Sequence, residues 1–289
     1  MPYINTESKK YALLIGINYR EQPGIELTGC INDINNVKSF LINNCNYTDA
    51  NITMMSDDHI LPTKYNILNH LRQLVNKALN ENVKEIFLHY SGHGSFVIDI
   101  DQHRESDSKD EVLVPIDWNG NSDRLIKDDD IYNELAKLPS LCNLFALIDC
   151  CNSGTILDLP NICRIDNSNL VTFDSNPEIK STNLNCNIIK IGGCRDYQIS
   201  AETRIGFQIE GVLTNTFLKS MKNLNYNCTG EQLIKLIKSD IANNNYTQIP
   251  TLSCSSPEQL YEFIIEVKKN TDNNKNKNKK RKKIKCVIL

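Results

Sequence analysis

The sequence has no stretch approaching the ~20 consecutive apolar residues of a membrane-spanning helix. Its first residues, MPYINTESKK, lack the apolar core of a secretory signal. Eleven cysteines are present, but their number is odd, no two form C-x-x-C, and their spacing has no disulfide-framework regularity. No internal repeat is found. These absences argue against an integral membrane protein, a disulfide-stapled secreted module and a repeat array. They predict free thiols in a reducing, cytoplasmic compartment. The sequons at Asn46, Asn51, Asn227 and Asn245 then follow from an Asn-rich composition.

What is present is enough for a full core: 289 residues, 40% of them hydrophobic. Apolar runs of strand length, YALLIGIN (11–18), NITMMS (51–56), EIFLHYS (85–91), NLFALID (143–149) and NIIKIGG (187–193), read as buried strands. Between them VKSFLINN, YNILNHLRQLVNKALN, DIYNELAKL, GVLTNTFLKSMKNL and EQLIKLIKSDIANN carry helical spacing, and TLSCS after Pro250 reads as a short last strand. This alternation predicts an α/β fold, with a central, mostly parallel sheet of about six strands and helices on both faces. Residues 95–124 and 158–186 read as irregular. The charge is uneven: residues 268–285 hold 10 of the 32 Lys+Arg and 1 of the 35 Asp+Glu. A net-acidic body of residues 1–267 therefore precedes a basic tail, 268–289, that cannot form a core.

Ligands in open α/β sheets gather beyond the carboxyl ends of the strands. Two such ends carry chemistry. One runs IFLHY into SGHGS, with His93 between glycines; the other runs LFALI into DCCNSG, with Cys150 and Cys151. Each alone reads more readily as a packed core group. Together they supply a thiol nucleophile and an imidazole base. A metal site fits poorly, because neither a C-x-x-C pair nor a second histidine stands near. Adjacent strand residues point to opposite faces, so the two thiols should differ.

YALLIGINY, LTGCINDI, HYSGHGS, DEVLVPID, LIDCCNSG, DLP, IGGCRDYQISAE and TLSCSS occur in the order seen in metacaspases, and the chain resembles these caspase-like cysteine peptidases over roughly residues 10–256. The resemblance implies a caspase-like sandwich with a large segment over about 10–160, a linker over 161–186 and a small segment over 187–267. It implies His93 as general base and Cys151 as nucleophile, with the N–H groups of Gly94 and Cys151 as oxyanion donors. It implies a pocket of Asp33, Asp149, Cys30 and Ser91 that takes Arg or Lys of protein or peptide substrates before the cut bond. Taken alone, Asp33 reads as the N-cap of a helix beginning near Asn35. Calcium is implied as an activator, with ligands at Asp110, Asp128, Asp129 and Asp158; the chemistry itself needs no metal. Asn152 stands where the family commonly has His, and the Gly-Asp-Glu run of its acidic loop is missing. Arg164 and Lys180, in the linker, are candidate self-cleavage sites, as in a zymogen, and a monomer is expected.

The chain ends KKRKKIKCVIL. Cys286-Val-Ile-Leu fits a prenylation signal, and the adjoining basic run supplies the second attachment that a single lipid chain needs. No aromatics interleave the basic residues, so a nucleic-acid partner is not expected. The reading is a cysteine endopeptidase tethered to the cytosolic face of a membrane. Its rivals are a catalytically silent, membrane-anchored scaffold of the same fold and a redox or metal protein built on the vicinal thiols.

Overall fold

The computed structural model describes residues 9–98, 109–154, 156–166, 168–176, 184–193, 202–205, 208–262 and 264–268. Along the chain, β1 (Lys9–Gly16) leads to α1 (Cys30–Asn44), β2 (Ile52–Ser56), α2 (Lys64–Asn80) and β3 (Val83–Ser91). A small sheet follows, of β4 (Gly94–Ile98), β5 (Lys109–Leu113) and β6 (Ile126–Lys127), before α3 (Asp128–Leu135) and β7 (Asn143–Asp149). Next come β8 (Asn161–Ile165), β9 (Val171–Ser175), β10 (Asn187–Gly192), the ribbon β11 (Glu202–Ile205) and β12 (Gln208–Gly211), α4 (Val212–Asn223), α5 (Gly230–Asn243) and β13 (Thr251–Cys254).

The main sheet has eight strands, in the order β2-β1-β3-β7-β10-β13-β8-β9. The first five are parallel and the last three antiparallel. The expected count of about six is thus corrected to eight. The two additional strands come from 161–175, within the stretch 158–186 whose Asn/Ser/Pro composition hides them. They are set by pairing against the free edge of β13, which they cover. Residues 95–124 are likewise not wholly irregular, since most of β4 and all of β5 lie there; residues 99–108 fall outside the described set.

Both faces of the central strands are buried, which explains why they read as continuous apolar runs. Alternate side chains go to opposite cores. Leu13 and Ile15 of β1 and Leu144, Ala146 and Ile148 of β7 pack with Ile67, Leu71, Leu74, Ile131 and Leu135 of α2 and α3. Ala12 and Leu14, with Phe145 and Leu147, pack with Ile34, Leu41, Phe217, Leu233 and Ile237 of α1, α4 and α5. Among the described residues no helix is long and apolar enough to cross a membrane, and all nine cysteines are free thiols.

The last described residues dock at the amino ends of the strands. Lys10 and Glu85 form a buried ion pair of 3.3 Å. Glu85 also accepts from the Tyr47 hydroxyl and the Glu266 amide, while Lys10 Nζ donates to the Glu266 carbonyl. Burial nonetheless raises the Glu85 pKa above its ordinary value, outweighing the opposing pull of Lys10. The Lys268 amide then donates to the Asn44 carbonyl at the end of α1. Lys268, the last described residue, therefore lies at the pole opposite the carboxyl ends of the parallel strands.

Candidate active site

Register brings the two candidate strand ends together. Ser91 of β3 is paired with Asp149 of β7, and the Gly92 amide extends the ladder to the Asp149 carbonyl. Two residues beyond each partner stand His93 and Cys151. The segments touch at Gly94: a Cβ there would collide with the Cys151 carbonyl oxygen and lie 2.8 Å from Cys150 Sγ. Only glycine permits that approach.

The two thiols are unequal. Cys150 is fully buried in the core shared with α2 and α3, whereas Cys151 is half-buried. Asn152 follows with φ 48°, a left-handed conformation that Asn tolerates better than most residues. Its place in this turn gives a backbone reason for Asn after Cys151.

His93 is held from several sides. Its amide donates to the Tyr19 hydroxyl at 2.9 Å, its carbonyl accepts from Tyr90 and Val114, and its ring lies 4.8 Å from the Tyr19 ring. Its Nε2 lies 2.8 Å from the Ile25 carbonyl oxygen. A carbonyl only accepts, so Nε2 carries the proton and Nδ1 is left as the basic nitrogen. Burial raises the Tyr19 phenol above its ordinary range, so it stays a neutral hydroxyl. Neither Tyr19 nor Ile25 is singled out by the sequence. Ile25 acts through its backbone, which residue identity does not report.

The acidic pair is also assembled. Asp33 lies in the first turn of α1, whose N-cap is Gly29, so the capping role is overturned. Its carboxylate accepts instead from Ser91 Oγ at 2.6 Å and from the Gly211 amide at 2.9 Å. Asp149 accepts from both the amide and the hydroxyl of Thr214, each at 2.9 Å. Gly211 lies over both carboxylates: a Cβ there would collide with Asp149 Oδ2 and stand 2.8 Å from Asp33 Oδ2. Asp33 and Asp149 are 1% and 4% exposed, lying beneath the end of β12 at Gly211. Burial, then the neighbouring Asp149 charge, push the Asp33 carboxyl well above its ordinary range. Cys30 is buried at the start of α1, on the same helix as Asp33. Gly211 and Thr214, which hydrogen-bond to Asp33 and Asp149, are marked by no motif in the sequence.

The four aspartates assigned to calcium are not gathered in this way. Asp110 is buried on β5 and paired with the Lys127 ammonium of β6. Asp128 is buried at the start of α3 and accepts from the Asp129 amide. Asp158 is buried after a left-handed Leu157–Asp158 turn. Among the described residues, no three His, Cys, Asp or Glu converge as a metal cage. As arranged, the Lys127 ammonium already neutralises Asp110, so a cation held there would have to displace it. Arg164 lies inside β8, paired with Thr172 of β9 and bonded to Asp174 at 2.7 Å. Cleavage there requires that strand to detach. Lys180 and Cys286 lie outside the described residues.

Three kinds of comparison bear on the family and the fold. A family model described as "Metacaspase, peptidase C14 domain" matches residues 10–160. Metacaspase-1 of Scheffersomyces stipitis is 31% identical over 304 residues, spanning 89% of this chain and 73% of that protein. A solved structure from Geobacter sulfurreducens superposes with a TM-score of 0.63 at 19% identity, over 90% of this chain and 100% of that one. Caspase-1 from Spodoptera frugiperda superposes with a TM-score of 0.53 at 10% identity, over 85% and 86%. At those identities the two structures speak to the fold alone.

Proposed function

Because the chain belongs to the metacaspase family of cysteine peptidases, we propose that it is an endopeptidase cutting after Arg or Lys, with Cys151 as nucleophile and His93 as base. The observation that carries this reading is the contact of the two strand ends at Gly94, beside a pocket of two carboxylates. The Cys151 thiol gives its proton to His93 Nδ1, and Sγ bonds to the substrate carbonyl carbon. The N–H groups of Cys151 and Gly94 receive the oxyanion. The C–N bond then breaks, and the His93 proton leaves with the amine. Water, deprotonated by His93, attacks the thioester, and breaking of the C–S bond restores the thiol.

A cationic side chain suits a slot holding two carboxylates, of which Asp33 resists ionisation until a cation arrives. Ser91 and Thr214 hold the carboxylates, and Cys30 lines the helix start. Entry requires β12 to move from its place over the pair. Calcium belongs to this reading as an activator at Asp110, Asp128, Asp129 and Asp158, and it must displace Lys127 from Asp110. The tail beyond Lys268 belongs to it as a membrane tether through prenylated Cys286. Among the linker residues Lys180 is the simpler self-cleavage site, since Arg164 is fixed in β8.

The test is cleavage of fluorogenic peptides ending in Arg, Lys or Asp, with and without calcium, by wild type and Cys151→Ala. Calcium-stimulated release from Arg and Lys peptides, abolished in Cys151→Ala, is expected. Hydrolysis that survives Cys151→Ala, or a preference for Asp, overturns the reading.

A further inference from the structure

One buried group near the candidate site is used by none of the steps above. In NIIKIGG, a lysine interrupts a run that is otherwise apolar and buried. Lys190 of β10 is 0% exposed. Charged side chains are almost never placed so deeply without a specific contact. Its register partners on β7 and β13 are Ala146 and Ser253. Its Nζ donates to the Ser153 carbonyl at 3.0 Å and the Gly154 carbonyl at 2.6 Å. Both acceptors lie in the turn that begins at Cys151.

We propose that Lys190 is a positioning residue for Cys151. Its ammonium anchors the turn through two carbonyls, and its charge favours an anion on the turn's exposed side. The anion is first the thiolate and then the oxyanion. A cation near a thiol lowers the free energy of the ionised form. Being buried, this cation is screened less than a surface lysine. A turn anchored from beneath also keeps the Cys151 amide in one orientation while charge develops. A leucine or methionine at 190 would satisfy packing equally well, so packing alone does not account for lysine.

The inference rests on Cys151 being the nucleophile, and its test is independent of peptide cleavage. Alkylation of Cys151 is followed against pH by mass spectrometry in wild type, Lys190→Met, Lys190→Gln and Lys190→Arg, with thermal melts alongside. Lys190→Gln keeps a donor for a carbonyl but removes the charge, and it serves if Lys190→Met fails to fold. Loss of the charge is expected to raise the pH midpoint of alkylation by about one unit, slowing the reaction near neutral pH about tenfold. Lys190→Arg should retain the wild-type midpoint. Identical midpoints in wild type and Lys190→Gln, even with altered melting, overturn the proposal and leave Lys190 a structural residue. Absence of cleavage by wild type together with a shifted midpoint would instead refute the peptidase reading alone.

Discussion

His89 lies four residues before His93, in the strand that leads to it, and the two imidazoles are treated oppositely by the fold. His89 is fully buried; its Nδ1 lies 2.8 Å from the Leu147 carbonyl, and its Nε2 has no hydrogen-bonding partner among the described residues. Burial lowers its pKa to about 4, against an ordinary 6.5. The unfolded chain therefore takes up a proton between pH 6.5 and 4 that the folded chain refuses. The associated stability is fully present above pH 6.5 and is lost as pH falls through that window. The loss approaches about 3 kcal/mol when integrated over the shift. Comparing melting at pH 7 and pH 5 checks this: His89→Gln, which cannot titrate, should lose less stability on acidification than wild type. Equal losses would show that other groups govern the acid limb. At this scale the sequence supplies residue types but not environments. HYSGH does not distinguish its two histidines, and CC does not by itself assign a nucleophile.

Elements decide access to the pocket. β12 packs on α1, with Asn32 donating to the Ile209 carbonyl and Asn36 to Glu210, and this carries Gly211 over Asp33 and Asp149. An added methyl at Gly211 collides with Asp149, whose carboxylate is fixed by Thr214. Overpacking of this kind costs about 1–3 kcal/mol. Gly211→Ala is accordingly expected to lower kcat/KM for an Arg peptide by roughly ten- to a hundredfold, with the fold retained. Unchanged kinetics would mean that β12 does not border the substrate pocket. The strands and helices of the main sheet are legible because burial on both faces demands apolar runs. β8, β9 and β12 are not, because their partners, rather than their own patterns, make them strands.

Across the whole molecule, the cleft and the exit of the tail lie at opposite poles. The Lys10–Glu85 pair and the Glu266 and Lys268 backbone contacts fix that exit at the amino edge of the sheet. A tether through the tail, as proposed, would join the body at the pole away from Cys151 and His93. The chain made in eukaryotic cells should sediment with membranes and cleave a soluble Arg peptide there. Cys286→Ser should move to the soluble fraction with similar kcat/KM. Equal solubility of the two would remove the tether.

The sequence by itself determined the fold class, the family and which residue types stand at the two strand ends, because periodicity and motif order are properties of the chain alone. The tertiary structure alone decided that the sheet has eight strands, that Gly211 covers the acidic pair, that the Ile25 carbonyl orients His93 and that Lys127 neutralises Asp110. Each of these depends on a contact between distant segments, often through backbone atoms that every residue carries. No local pattern encodes such contacts.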